Sequence, residues 1–176
     1  KHDRVFILAT GPSLNKINLA KLKNEYTIGV NSIYKIANDI NLNYFIYVSD
    51  WYYKEHLSGF NSIKTAKCFF PKMLKNKLNK NPNFSFINVQ RPIYKSIFNY
   101  EYNVPYKFSK NVSFEFEAGG TVIFLALQLA YHLGFKDIYI LGLDHNYGFN
   151  SQQIKSNRHL QLRKENAEKY HFDKNY

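Results

Sequence analysis

The sequence predicts an α/β fold: a single domain built on a doubly wound, mostly parallel sheet of the Rossmann-like type. Three observations lead there. Short, nearly continuous apolar runs recur along the chain, each run ends in a small or polar residue, and apolar residues at helical spacing follow several of them. A run that is apolar at every position suits a strand buried on both faces, as in a parallel sheet covered by helices. Strand and helix in repeated alternation then imply the doubly wound arrangement.

Residues 4–9 (Arg-Val-Phe-Ile-Leu-Ala) form the first predicted strand and feed the turn Thr10-Gly11-Pro12-Ser13. Leu14, Ile17, Leu19 and Leu22 follow at roughly helical spacing. Residues 26–30 make a second strand ending at Asn31, and residues 44–48 a third ending at Ser49-Asp50. Weaker strands are expected at 66–70 and 84–89, with a lysine-rich helical stretch at 72–80 between them. Residues 90–117 are rich in Tyr, Phe, Asn and Lys with little periodicity, which predicts a long excursion over the sheet edge and a mobile lid. Order returns with Gly119-Gly120-Thr121 opening a helix marked by Val122, Leu125, Leu129 and Leu133 and closed by Gly134. Residues 137–143 are the last buried strand, ending at Asp144-His145; the polar, basic remainder is expected to be partly helical at 158–169.

With 176 residues, 45% of them apolar, the chain is read as one domain over residues 1–176. The single cysteine, Cys68, has no partner for an internal disulfide and is expected in the core. No apolar run approaches the ~18 residues of a membrane span, so a cytoplasmic location is expected. Charged residues stand directly before the first strand where a secretory signal would lie, and the missing start Met is read as the mark of a partial chain. The net charge of +11 favours anionic partners. Nucleic acid is not expected among them, because no RRM, KH or zinc motif supports it, and a coding bias toward Lys and Asn accounts equally well for the charge.

In an open α/β sheet, ligands bind at the carboxyl ends of the strands. The polar residues gather at those ends. Gly11 permits a tight turn, Pro12 suits a first helical position, and Ser13 can offer a hydroxyl and an N–H to a phosphate. Gly119, Gly120 and Thr121 make a second anion-binding candidate at a helix N-terminus, or a plain cap with Thr121 as capping residue. Asp144 can hold a ribose hydroxyl, bind a metal or cap a turn, and Asn31 and Asp50 occupy equivalent strand ends. His145 and His171 are the candidate proton-transfer groups. No Walker A loop, dinucleotide fingerprint, zinc spacing or nucleophile elbow is present.

As a set, residues 7–14 (Ile-Leu-Ala-Thr-Gly-Pro-Ser-Leu), Gly29-Val30-Asn31, residues 118–122 (Ala-Gly-Gly-Thr-Val) and residues 134–144 resemble the MptE-like domain family. That family is named for archaeal 6-hydroxymethylpterin diphosphokinase and also occurs in flagellar motility accessory factors. The same motifs in the same order are similar to those of the bacterial family 42 sialyltransferases. The latter resemblance implies a CMP-activated sugar acid as donor, no essential metal, and transfer to a hydroxyl of a surface glycan. It implies that Gly11, Pro12, Ser13, Asn31, Asp50, Gly119, Gly120, Thr121 and Asp144 hold the nucleotide and that His171 is the nearest base candidate. The sialyltransferases keep their catalytic histidine a few residues beyond the matching position, where this sequence has Asn175 and Tyr176. The diphosphokinase branch implies instead pyrophosphoryl transfer from ATP to a pterin, with Asp50 and Asp144 on Mg²⁺. A non-catalytic nucleotide-binding module is the third expectation. With the glycan acceptor goes the expectation of peripheral contact with a membrane-borne acceptor, and a homo-oligomeric state is expected besides.

Overall fold

The computed structural model describes residues 3–49, 53–90, 107–145 and 171–173. In chain order they contain β1 (Arg4–Leu8), β2 (Tyr26–Val30), β3 (Tyr44–Ile46), α1 (Tyr53–Ser62), β4 (Lys67–Pro71), β5 (Phe84–Ile87), β6 (Val89–Gln90), β7 (Phe116–Glu117), α2 (Val122–His132) and β8 (Asp137–Leu141). Six strands form one sheet in the order β5-β4-β3-β2-β1-β8. Every neighbouring pair in it is parallel. The chain therefore walks outward from β1 to β5, then crosses back to lay β8 on the other side of β1, with Leu8 opposite Leu141. The direction of winding reverses between β1 and β8, which is where such sheets open a crevice.

Successive residues of each strand feed two cores, one per face. Val5, Ile7, Ile28, Val30 and Ile46 pack with Ile123, Ala126 and Leu129 of α2. Leu8, Phe45, Cys68 and Phe70 pack on the other face with Leu14, Leu22, Ile33 and Phe60. Burial on both sides is why these strands read as continuous apolar runs. Each fully buried side chain of this size contributes roughly 1.5–3 kcal/mol relative to exposure. Burial pushes the Cys68 thiol up to about 12, so it stays a protonated core group.

The helical elements depart from the expectation. Residues 14–22 form two short 3₁₀ turns, Pro12–Lys16 and Leu19–Leu22, because Asn18 is extended and its side chain accepts from the Ala20 N–H, starting a new turn. The predicted helix at 72–80 reduces to the 3₁₀ turn Lys72–Leu74 and the turns after it. Helix α1 was not anticipated. Its buried residues, His56 and Phe60, stand four apart, but Gly59 interrupts the pattern, and the Tyr34 ring lies where a Gly59 Cβ would sit.

Strands β6 and β7 pair with each other as a small parallel sheet that joins the two ends of the predicted excursion. Within it, residues 91–106 lie outside the described residues; of residues 107–117, Val112 and Phe116 are buried and most of the others are exposed. Val112 and Phe116 enter the core under α2. Gln128, fully buried on α2, fixes this limb. Its Oε1 accepts from the Ser109 and Glu117 N–H groups, both at 3.0 Å, and its Nε2 donates to the Glu117 carbonyl at 2.8 Å and the Phe124 carbonyl at 3.0 Å. A buried amide with its donors and acceptor all used holds its partners in one arrangement.

Helix α2 closes as predicted. Gly134, at φ +83°, donates its N–H to Tyr131 O, and Phe135 donates to Ala130 O, the paired bonds of a Schellman motif. Residues 134–136 then lead into the amino end of β8. Eleven helical residues span about 16 Å, as five strand residues do, so α2 begins back at the carboxyl edge of the sheet. Among the described residues no helix is long and apolar enough to cross a membrane. The expected helix at 158–169 lies outside the described residues.

Candidate functional site

The turns after β1 and β8 are bound together. The Ala9 N–H donates to Leu141 O at 2.8 Å and the Gly11 N–H to Gly142 O at 2.7 Å, carrying the ladder beyond the strand ends. A Cβ on Gly11 would stand 2.5 Å from Gly142 O and 2.6 Å from Asp144 Oδ2. Glycine is needed here for the approach of the neighbouring turn. Pro12 opens the 3₁₀ turn, as predicted for a first helical position. Ser13 donates its N–H to Asp144 Oδ2 at 2.8 Å and its hydroxyl to Asp144 Oδ1. Both Ser13 donors, which the sequence offers to a phosphate, here meet a carboxylate from 131 residues away.

The second glycine turn has no such staple among the described residues. Gly119 and Gly120 take φ of +52° and +77°, the left-handed region that glycine enters without a Cβ penalty. A Cβ on Gly119 would run into the Phe124 ring. Thr121 is extended, and its hydroxyl accepts from the Ile123 N–H at 3.4 Å. It is thus the N-cap of α2, and this cap leaves the positive end of the helix dipole in place.

At the end of β2, Asn31 is one of two described non-glycine residues in the left-handed region, at φ +51°. The other is His145, at φ +49°, exposed at the end of β8. Asn31 opens the 3₁₀ turn Asn31–Ile36, which receives residues 171–173. The Phe172 N–H donates to Thr10 O at 2.9 Å, Asn15 Nδ2 donates to Phe172 O at 2.9 Å, and Lys35 pairs with Asp173. Ser32 Oγ lies 3.2 Å from His171 Nε2, and the Asp173 N–H donates to His171 Nδ1 at 3.1 Å. A backbone N–H can only donate, so Nδ1 is the acceptor and a neutral ring carries its proton on Nε2, toward Ser32.

Of the predicted residues, Gly11, Pro12, Ser13 and Asp144 thus form one cluster. His171 is seated beside it through Thr10, and Asn31 heads the turn that holds His171. Gly119, Gly120 and Thr121 open α2 on the same edge, and Asp50 lies outside the described residues. Ser32 and Lys35 were not anticipated, since their partners are 139 and 138 residues away. Nor did it mark the pair formed by the Tyr34 hydroxyl and His56 Nδ1, 2.8 Å apart inside the aromatic core. Burial pushes the His56 pKa down, with Lys35 acting the same way and Glu55 opposing. Among the described residues no three His, Cys, Asp or Glu side chains converge as a metal site.

A model of the family described as 6-hydroxymethylpterin diphosphokinase MptE-like matches residues 1–149. No curated protein and no solved structure matches the chain. The family match takes in every strand of the main sheet, both glycine turns and Asp144, and by it this chain belongs to the MptE-like family.

Proposed function

We propose that the chain is a nucleotide-dependent transferase whose donor, a CMP-activated sugar acid, lies along the carboxyl edge from the β1 and β8 turns to the start of α2, and whose acceptor is a glycan hydroxyl. The Ser13–Asp144 pair supports this most directly. With both Ser13 donors used, the turn presents a carboxylate with spare lone pairs, which suits the hydroxyls of a ribose and repels a phosphate. The phosphate is left to the α2 N-terminus, where amides and dipole favour an anion. Hydroxyls at one end and phosphate at the other is the order of groups in a nucleotide.

Transfer to a hydroxyl needs a base, and His171 is the imidazole seated at this edge. To take a proton at Nδ1 the ring must be released by the Asp173 N–H. Ser32 keeps the Nε2 side fixed while that happens.

The family description favours a second reading, pyrophosphoryl transfer from ATP to a pterin. That chemistry uses Mg²⁺ to neutralise charge on the phosphates. In that reading Asp144, held in place by Ser13, would turn its spare lone pairs to Mg²⁺ instead of to a ribose.

Thermal unfolding with each nucleotide separates the two. A ligand at about 100 times its dissociation constant adds about 2.7 kcal/mol, or roughly 5–10 °C for a domain of this size. CMP acting without metal supports sugar transfer. ATP acting only with Mg²⁺ replaces that reading with the second.

A further inference from the structure

The 35 residues from 56 to 90 hold six lysines and no aspartate or glutamate, in a chain with 13 acidic residues. Three of the lysines, Lys72, Lys75 and Lys77, follow the carboxyl end of β4, on the same sheet edge as the candidate site. Strand β4 lies three strands from β1, which is about 14 Å along that edge.

This turn is held firmly. Leu74 is fully buried and Leu78 nearly so, and the N–H groups of Lys77 and Leu78 both donate to Leu74 O, at 2.9 and 3.1 Å. The two leucines decide which side faces solvent: Lys72, Lys75 and Lys77 are exposed, and Met73 among them keeps 49% of its surface open. Lys77 Nζ lies 5.0 Å over the Tyr53 ring, which ties the turn to the start of α1. Among the described residues no carboxylate pairs with these three lysines; the nearby first turn of α1 carries Glu55 beside Lys54.

We infer that the turn from Lys72 to Lys77 docks on an anionic bilayer surface, its lysines among the headgroups and Met73 at their boundary with the acyl chains. Charge complementarity selects the partner. Lysines near an anionic surface each add to binding, their apolar stems let them reach headgroups while the chain sits at the interface, and an exposed thioether gains from an acyl boundary. A nucleic-acid backbone uses the lysines but gives Met73 nothing. The dock turns the carboxyl edge toward the membrane, where a lipid-borne glycan presents its hydroxyl. It rests on the reading that the acceptor is membrane-borne, but the surface can be tested without turnover.

The test is co-sedimentation of the full chain with vesicles of phosphatidylcholine, with and without about a third of phosphatidylglycerol, at rising salt. Binding is expected only with the anionic lipid and is expected to weaken with salt. In Lys72→Gln/Lys75→Gln/Lys77→Gln it should fall on the order of a hundredfold, whereas the corresponding triple arginine variant should keep it. Met73→Gln should cost a few-fold more than salt screening explains. All four substituted side chains are exposed, so unchanged melting temperatures should accompany these results. Absence of vesicle binding, equal binding to neutral vesicles, or an unaffected glutamine variant overturns the proposal. So does duplex DNA bound as tightly through the same lysines. CMP titration of the same protein reads the transferase proposal separately, so a failure of the dock and a failure of the nucleotide site are told apart.

Discussion

The two glycine turns on the carboxyl edge are built in opposite ways. The turn after β1 is packed against the turn after β8, with Gly11 against Gly142 O and both Ser13 donors on Asp144. The turn before α2 is capped by one 3.4 Å bond from its own chain, and its Gly120 is exposed. Both would be scored alike as glycine turns at strand or helix ends. The difference teaches that a glycine turn can be closed over by another piece of the protein or left open to solvent, and that the neighbours decide which.

The largest effect should come from closing the packed turn. Gly11→Val puts side-chain atoms into Gly142 O and Asp144, neither of which can move without breaking the β1–β8 ladder. Overpacking of this kind costs about 3 kcal/mol or more, a fall of roughly 6–12 °C in melting temperature. A Gly11→Val protein that melts like the parent would mean that the turn is not packed, and the contrast would disappear.

The packed side also carries residues 171–173, held by Thr10 and Asn15. If His171 is the base, His171→Ala lowers turnover of a demonstrated sugar transfer at least about a hundredfold with little change in nucleotide affinity. Steady-state kinetics beside a CMP titration measures both. Full turnover would leave the imidazole a purely structural role, bridging Ser32 and the Asp173 amide.

A smaller effect is expected from Asp144→Asn. The amide can accept from the Ser13 N–H and donate its N–H₂ to the Ser13 hydroxyl, which reverses its role, so the pairing survives and the loss is that of charge-assisted for neutral bonds, about 1 kcal/mol. Denaturant unfolding of Asp144→Asn, Ser13→Ala and the double variant should show coupling, with the double variant less damaged than the sum of the two. Additive losses would contradict the staple.

What the sequence allowed to be read follows from range. The strands were legible because burial on both faces leaves its mark within five residues, as in Arg4–Leu8, whereas Asp137–Leu141, read as a buried strand, ends the described sheet and has none of its residues buried. The close of α2 at Gly134 was legible because a left-handed residue after a helix is a local requirement. Helix α1 was not, because its buried positions include a histidine and its pattern holds a glycine shaped by the Tyr34 ring, a contact from the turn at 31–36 on the same face of the sheet. The limb at 107–117 looked aperiodic because its order comes from Gln128, which serves the backbone of two separate points on it. Gly11, Ser13 and Asp144 were all legible as polar strand-end residues. Their use was not, because the Ser13–Asp144 bonds join opposite ends of the chain.

The central claim is that ribose and phosphate are divided between the two turns. Calorimetric titration of Gly120→Val with CMP and with cytidine tests it most directly. Residue 120 takes a φ of +77° in an exposed turn, so the folded variant should lose about 1–2 kcal/mol of stability, less than Gly11→Val. Its side chain stands before the α2 N-terminus, where the phosphate is expected. The account predicts that CMP then binds no better than cytidine, while cytidine binds as it does to the parent. CMP affinity equal to that of the parent would contradict the assignment and remove the α2 turn from the site.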